Sequence, residues 1–117
     1  MPVMMPYATT GKVRALGVTT AARSPTLPEV PSVGEFLPGY EASSWHGVGA
    51  PRATPPEIVQ TLNREIRAAL ADPMFKTRLA EFGGVPMAMS PSEFGKLISD
   101  ETEKWAKVIA FAGIKPV

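Results

Sequence analysis

The sequence predicts an α/β chain, with loops and short strands in its first half and helices in its second. Three observations carry this reading. A Val- and Leu-rich run, Lys12 to Thr19, is bounded by turn residues. Pro is abundant, 13 of 117 residues, and most of it lies between Pro2 and Pro56. From Ile58 onward apolar residues recur every four positions, the period of an amphipathic helix.

The N-terminal stretch, Met1 to Thr10, is apolar, but two Pro argue against a helix there. In the run opened by Gly11 and Lys12, Val13 and Ala15 share one face and Leu16 and Val18 the other. Both faces are apolar apart from Arg14, as in a strand buried in a parallel or mixed sheet. Arg14 is therefore expected to meet a carboxylate, or less readily a ligand. Thr19 to Pro31 reads as a loop, pinned by Pro25, Pro28 and Pro31. Ser32 and Glu35 have capping-box spacing and open a helical turn through Phe36, which Pro38 and Gly39 end.

Ser44 to Ala50 reads as a second strand, with Gly47 and Gly49 permitting close backbone approach. Thr54 as N-cap, Pro55 at the first helical position and Glu57 closing a capping box then announce a helix carrying Ile58, Leu62, Ile66 and Leu70 on one stripe, to about Ala71. Asp72-Pro73 restarts a second helix that Gly83 and Gly84 terminate. Val85 to Met89 is a candidate edge strand. Ser90 to Glu93 opens a third helix through Phe94, Leu97, Ile98, Glu101, Trp105, Val108 and Ile109, stopped by Gly113 and Pro116. Trp105 is expected in the core, and Glu101 near the apolar stripe.

The bulk numbers narrow the function. A chain of 117 residues holds one modest core. A net charge of +1 argues against nucleic-acid or acidic-membrane partners, which call for a basic face. Without Cys there are no disulfides, thiolate metal sites or Cys nucleophiles. No apolar run approaches the ~20 residues of a membrane span. Met1 to Tyr7 lacks the basic start and apolar middle of a signal peptide, so a chain that is the full gene product is expected to stay in the cytoplasm.

Chemistry concentrates in Tyr40 to Thr54, which holds the chain's single His and one of its two Trp. A catalytic His46 needs a nucleophile and an orienting carboxylate. On a strand Ser44 and His46 share a face, but Glu41 lies beyond the turn, and no nucleophile elbow is present. No catalytic residue is assigned, and His46 is read as binding or packed. One His without Cys leaves no metal-ligand spacing, and Gly47-Val48-Gly49 is not a phosphate fingerprint. No cofactor is called for. Trp45 either lines a pocket or packs.

Three stretches taken together resemble one family: G-K-V-R-A-L-G-V-T-T-A-A-R-S-P-T-L-P-E-V-P-S-V, L-P-G-Y-E-A-S-S-W-H-G-V-G-A-P-R-A-T-P-P-E-I-V-Q-T-L-N, and M-S-P-S-E-F with E-T-E-K-W-A-K-V-I-A-F-A-G-I-K. Their order and spacing, from about Gly11 to Lys115, are similar to the C-terminal part of the Bug (TctC-like) solute receptors of tripartite tricarboxylate transporters. The resemblance implies a fragment of a two-domain, type II periplasmic-binding-protein (Venus-flytrap) fold, with few short strands and three amphipathic helices. It implies a periplasmic receptor, not an enzyme, that captures small carboxylates and delivers them to a membrane permease by hinge closure. Residues 1–43 would be a remnant of the second lobe, with a strand at about 12–19. Residues 44–53 would be the crossover, and 54–117 helices packing on the first lobe.

Most carboxylate-gripping loops of the family lie outside this stretch. Ser44, Trp45, His46 and Gly47 are the positions implied to face the cleft, with His46 where the family often carries an aromatic. A fragment of such a fold would leave apolar faces uncovered and is expected either to form a homo-oligomer or to be a rearranged small fold with altered pairing. The alternative is a truncated module that binds no solute and self-associates or serves as an interaction domain.

Overall fold

The computed structural model describes residues 4–115. The chain divides into two compact units, Met1–Ala50 with Ala71–Pro86, and Pro51–Leu70 with Met87–Val117.

In the first unit, helix α1 spans Met5–Thr9 within the stretch where two Pro argued against a helix. Pro6 falls in the first turn, where its missing N–H would have had no partner anyway. Gly11, at φ 71, reverses the chain, so that Gly11 N–H reaches the Ala8 carbonyl at 3.1 Å and Lys12 N–H that of Tyr7 at 2.9 Å. Met5, Val18, Leu27 and Val30 form the buried core, with Ala8 and Ala15 against it. Helix α3, Pro73–Glu81, is capped by the Asp72 carboxylate, which accepts from Phe75 N–H at 2.9 Å. It closes on Gly83, at φ 68, with Gly84 N–H on the Leu79 carbonyl at 2.8 Å.

The strand expected at about 12–19 does not form. Among the described residues it contributes one parallel bridge, Val18 to Ser32. There Val18 N–H donates to Pro31 O and Val33 N–H to Val18 O, both at 2.9 Å. A strand is a pairing, and an apolar segment that finds no continuous ladder beside it cannot become one. Leu16 accordingly stays 73% exposed. Arg14 is exposed too, and makes no ion pair among the described residues, contrary to expectation. Ser44–Ala50 and Val85–Met89 likewise carry no strand structure.

In the second unit, helix α2 spans Pro56–Ala71. It starts one residue later than Thr54-Pro55 suggests, because Pro56 follows Pro55 and disfavours the α conformation there. The expected Thr54-Glu57 capping box does not form, Thr54 N–H going to the Pro51 carbonyl at 2.9 Å instead. The first helical bond then runs from Val59 N–H to Pro55 O at 3.2 Å. Helix α4 spans Pro91–Phe111 and carries the expected capping box. Ser90 Oγ accepts from Glu93 N–H at 3.3 Å, and Glu93 Oε2 accepts from Ser90 N–H at 2.7 Å. Gly113, at φ 66, ends α4, with Ile114 N–H on the Ile109 carbonyl at 3.2 Å. Asn63 Nδ2 donates to the Met89 carbonyl at 2.9 Å, tying α2 to the segment that leads into α4.

No described residue of this second unit is buried. Ile58 and Leu62 of α2, and Ile98, Trp105, Val108 and Ile109 of α4, are all exposed. Trp105, expected in the core, is 39% exposed and donates its indole N–H to Glu101 Oε2 at 2.8 Å. Glu101 also holds Lys104 at 3.1 Å and is only 15% exposed, in keeping with its place beside the apolar stripe. Among the described residues no helix is long and apolar enough to cross a membrane.

Candidate ligand-binding segment

The expected site residues lie on an irregular segment of the first unit whose entry is tightly held. Leu37-Pro38-Gly39-Tyr40 is a turn, with Tyr40 N–H on the Leu37 carbonyl at 3.0 Å. Its third residue, Gly39, has the positive φ (86°) that a type II turn demands. Two residues on, Ala42 N–H donates to the Thr19 carbonyl at 2.8 Å, fixing this strip of chain beside the Val18 bridge. Beyond Ala42, Ser44, His46 and Gly47 are exposed and Trp45 is half-buried.

Sequence adjacency brings these four together. Ser43 Oγ donates to Glu41 Oε1, and among the described residues His46 has no hydrogen bond to a serine or carboxylate. A nucleophile-base-carboxylate relay is not assembled here. The close backbone crossing anticipated at Gly49 is absent as well, since a Cβ there would meet nothing within 4 Å. An open, irregular Gly-containing backbone offers N–H donors to an anion, and the half-buried Trp45 offers an apolar wall. Among the described residues no group of three or more His, Asp or Glu could hold a metal ion.

The entry rests on a polar hub that the sequence reading did not identify as a whole. Ser32 is 1% exposed, and each of its polar groups is engaged. Its Oγ donates to the Thr20 carbonyl at 2.6 Å and accepts from Gly34 N–H at 3.2 Å, while its N–H donates to Glu35 Oε1 at 2.8 Å. Arg23 grips Glu35 with two parallel bonds, Nε to Oε1 at 2.8 Å and a terminal nitrogen to Oε2 at 2.7 Å. Another Arg23 nitrogen reaches the Pro28 carbonyl at 3.2 Å. The Arg23 hydrogen bond, then the Ser32 N–H, pulls the Glu35 carboxyl down to about 2. The Ser32-Glu35 spacing was legible as a capping box. Arg23, twelve residues from Glu35, carries no local signal.

Also in this unit, α1 and α3 flank an open groove of about 490 Å³ lined by Met5, Pro6, Thr9, Thr26, Thr77, Ala80 and Glu81. Its walls are mainly apolar, and the Thr77 hydroxyl is spent on the Pro73 carbonyl at 3.0 Å.

Comparison with known proteins identifies this architecture. The chain superposes on the solved structure of the periplasmic binding protein BugD with a TM-score of 0.82 at 33% identity, over 96% of this chain and 38% of that one. Its fold is thus an α/β fragment of a periplasmic binding protein. Residues 1–114 match the family described as tripartite tricarboxylate transporter family receptor, and the chain belongs to that family. Among similar relatives are a UPF0065 protein from the tcbD-tcbE intergenic region of Pseudomonas sp. (strain P51) and BugT of Bordetella pertussis. The first is 44% identical over 84% of this chain and 30% of its own length. The second is 34% identical over 98% of this chain and 36% of its own length. This chain therefore spans about a third of the length of those relatives.

Proposed function

We propose that this chain is part of a periplasmic solute receptor that captures small carboxylates for a tripartite tricarboxylate transport system and hands them to its membrane permease. The observation that carries the reading is the likeness to BugD across 96% of the chain, at an identity of 33%. In this reading residues 1–43 belong to the second lobe and residues 44–53 form the crossover. Residues 54–117 supply helices that pack on the first lobe, which is the layer their uncovered stripes call for. Ser44, Trp45, His46 and Gly47 face the cleft, with backbone and hydroxyl donors toward a carboxylate and the indole against its carbon skeleton. The chemistry is binding and release by domain closure, with no bond made or broken.

Isothermal titration of the chain with a panel of di- and tricarboxylates tests this. Saturable heat with one acid, lost in Trp45→Ala while the fold is kept, is the expected result. Absence of heat with every acid, in a chain that melts cooperatively, would count against it.

A second reading is favoured by one specific observation, the apolar residues left open on α2 and α4. Contiguous exposed apolar surface seldom persists on a soluble monomer. On this reading the chain self-associates through those faces and binds no solute. Sedimentation equilibrium decides it, since a monomer at high concentration contradicts self-association.

A further inference from the structure

The Ser32 hub and the Ser44–Gly47 segment are joined by a short physical path. Three passes of the chain lie side by side, 18–20, 32–35 and 40–42. The first two are locked by the Val18 bridge and by Ser32 Oγ on the Thr20 carbonyl at 2.6 Å. The third is tied to the first by Ala42 N–H on the Thr19 carbonyl, one residue from Thr20, at 2.8 Å. It is also pressed on the second, since a Cβ at Gly34 would stand 3.0 Å from the Tyr40 carbonyl oxygen, a backbone atom that cannot swing aside. Gly34 is itself seated by its N–H on Ser32 Oγ at 3.2 Å. The course on which the chain leaves Ala42 toward Trp45 is therefore set from both sides.

We propose that Ser32 and Gly34 are positioning residues for the Ser44–Gly47 segment. Ser32 pulls the Thr19-Thr20 pass into register. The missing side chain of Gly34 leaves the space that lets Tyr40 to Ala42 lie against it. Neither residue is proposed to touch a ligand. The link to solute binding rests on the receptor reading above, whereas the link to the segment's geometry does not.

The test uses Trp45 as its reporter. Trp45 and Trp105 are the chain's two Trp, so Trp105→Phe leaves Trp45 alone. In that background Ser32→Ala and Gly34→Ala are each expected to red-shift the Trp45 emission and raise its quenching by acrylamide. Leu27→Ala, a core truncation in the same unit, is expected to lower stability but leave that emission at the parent value. Equal emission in all four folded proteins would overturn the proposal, and so would an equal shift in all three variants.

Should Ser32→Ala not fold, amide hydrogen exchange in the unsubstituted chain decides. The Ala42 amide should be protected well beyond that of Gly49, and equal exchange at the two would overturn the proposal. Titration with citrate adds a separate arm. If the parent takes it up, Ser32→Ala and Gly34→Ala should weaken uptake and Leu27→Ala should not. Uptake unchanged by either would overturn the link to binding. A parent that takes up neither citrate nor any acid of the di- and tricarboxylate panel removes the receptor reading and leaves the Trp45 signal to judge the positioning role.

Discussion

The two units of this chain are stabilised in different ways. Every buried described residue, Met5, Val18, Ser24, Leu27, Val30 and Ser32, belongs to the first unit, which has little regular structure. The second unit, mostly helical, buries none. Helices form from local signals, namely a cap, a first-turn Pro and a Gly past the end, whereas a core forms only where distant segments meet. Side-chain burial thus concentrates in a small core of the first unit, and the second stands on its caps and on whatever layer covers its stripes.

The contrast gives a ranked set of expectations. Leu27→Ala should cost the most, about 2–3 kcal/mol, because it empties part of a core of few residues. Leu62→Ala on α2, half-exposed, should cost well under half as much; urea melts of the two variants compare them directly. Equal losses would mean that the second unit holds a core of its own. Next come the helix ends. Gly83→Ala forces a side chain onto φ 68 and should cost roughly 1–2 kcal/mol, and Ser90→Ala about 1 kcal/mol, both read from the shift in melting temperature. Lys96→Ala, which removes an exposed pair with Asp100 at 2.6 Å, should change stability by no more than ~0.5 kcal/mol.

Acid offers a separate probe of the first unit. The Glu35 carboxyl is lowered from 4.5 to about 2, so its share of stability is present above pH 4.5 and is lost as pH falls toward 2. Comparing parent and Glu35→Gln should therefore show a stability gap at neutral pH that narrows across that window. A gap that is constant with pH would mean that the Arg23 pairing contributes nothing through charge.

How much was legible follows the same division. The three long helices, the capping boxes at Ser32 and Ser90 and the Gly terminators stand in the sequence because their causes lie within a few residues of one another, although the box read at Thr54 and Glu57 does not form. Lys12–Thr19 has the composition of a buried strand, but a strand also needs pairing partners, and among the described residues this segment finds only the Val18 bridge to Ser32. Trp105 and Arg14 went astray for that reason, since both were assigned to interiors that the chain by itself does not build. In the candidate site, Ser44 to Gly47 are proposed from resemblance alone. The Ser32-Arg23-Glu35 hub was not legible, because its partners come from positions twelve apart and from backbone carbonyls that have no residue signature.

Whether this chain receives a carboxylate is asked most directly by a thermal melt with and without a panel of di- and tricarboxylates. An acid present at a hundred times its dissociation constant should add about 2.7 kcal/mol. For a chain of this size that is roughly 10 °C in melting temperature. A rise of that order with one acid, absent in Trp45→Ala, is the predicted result. A cooperative melt that no carboxylate moves would contradict the receptor reading.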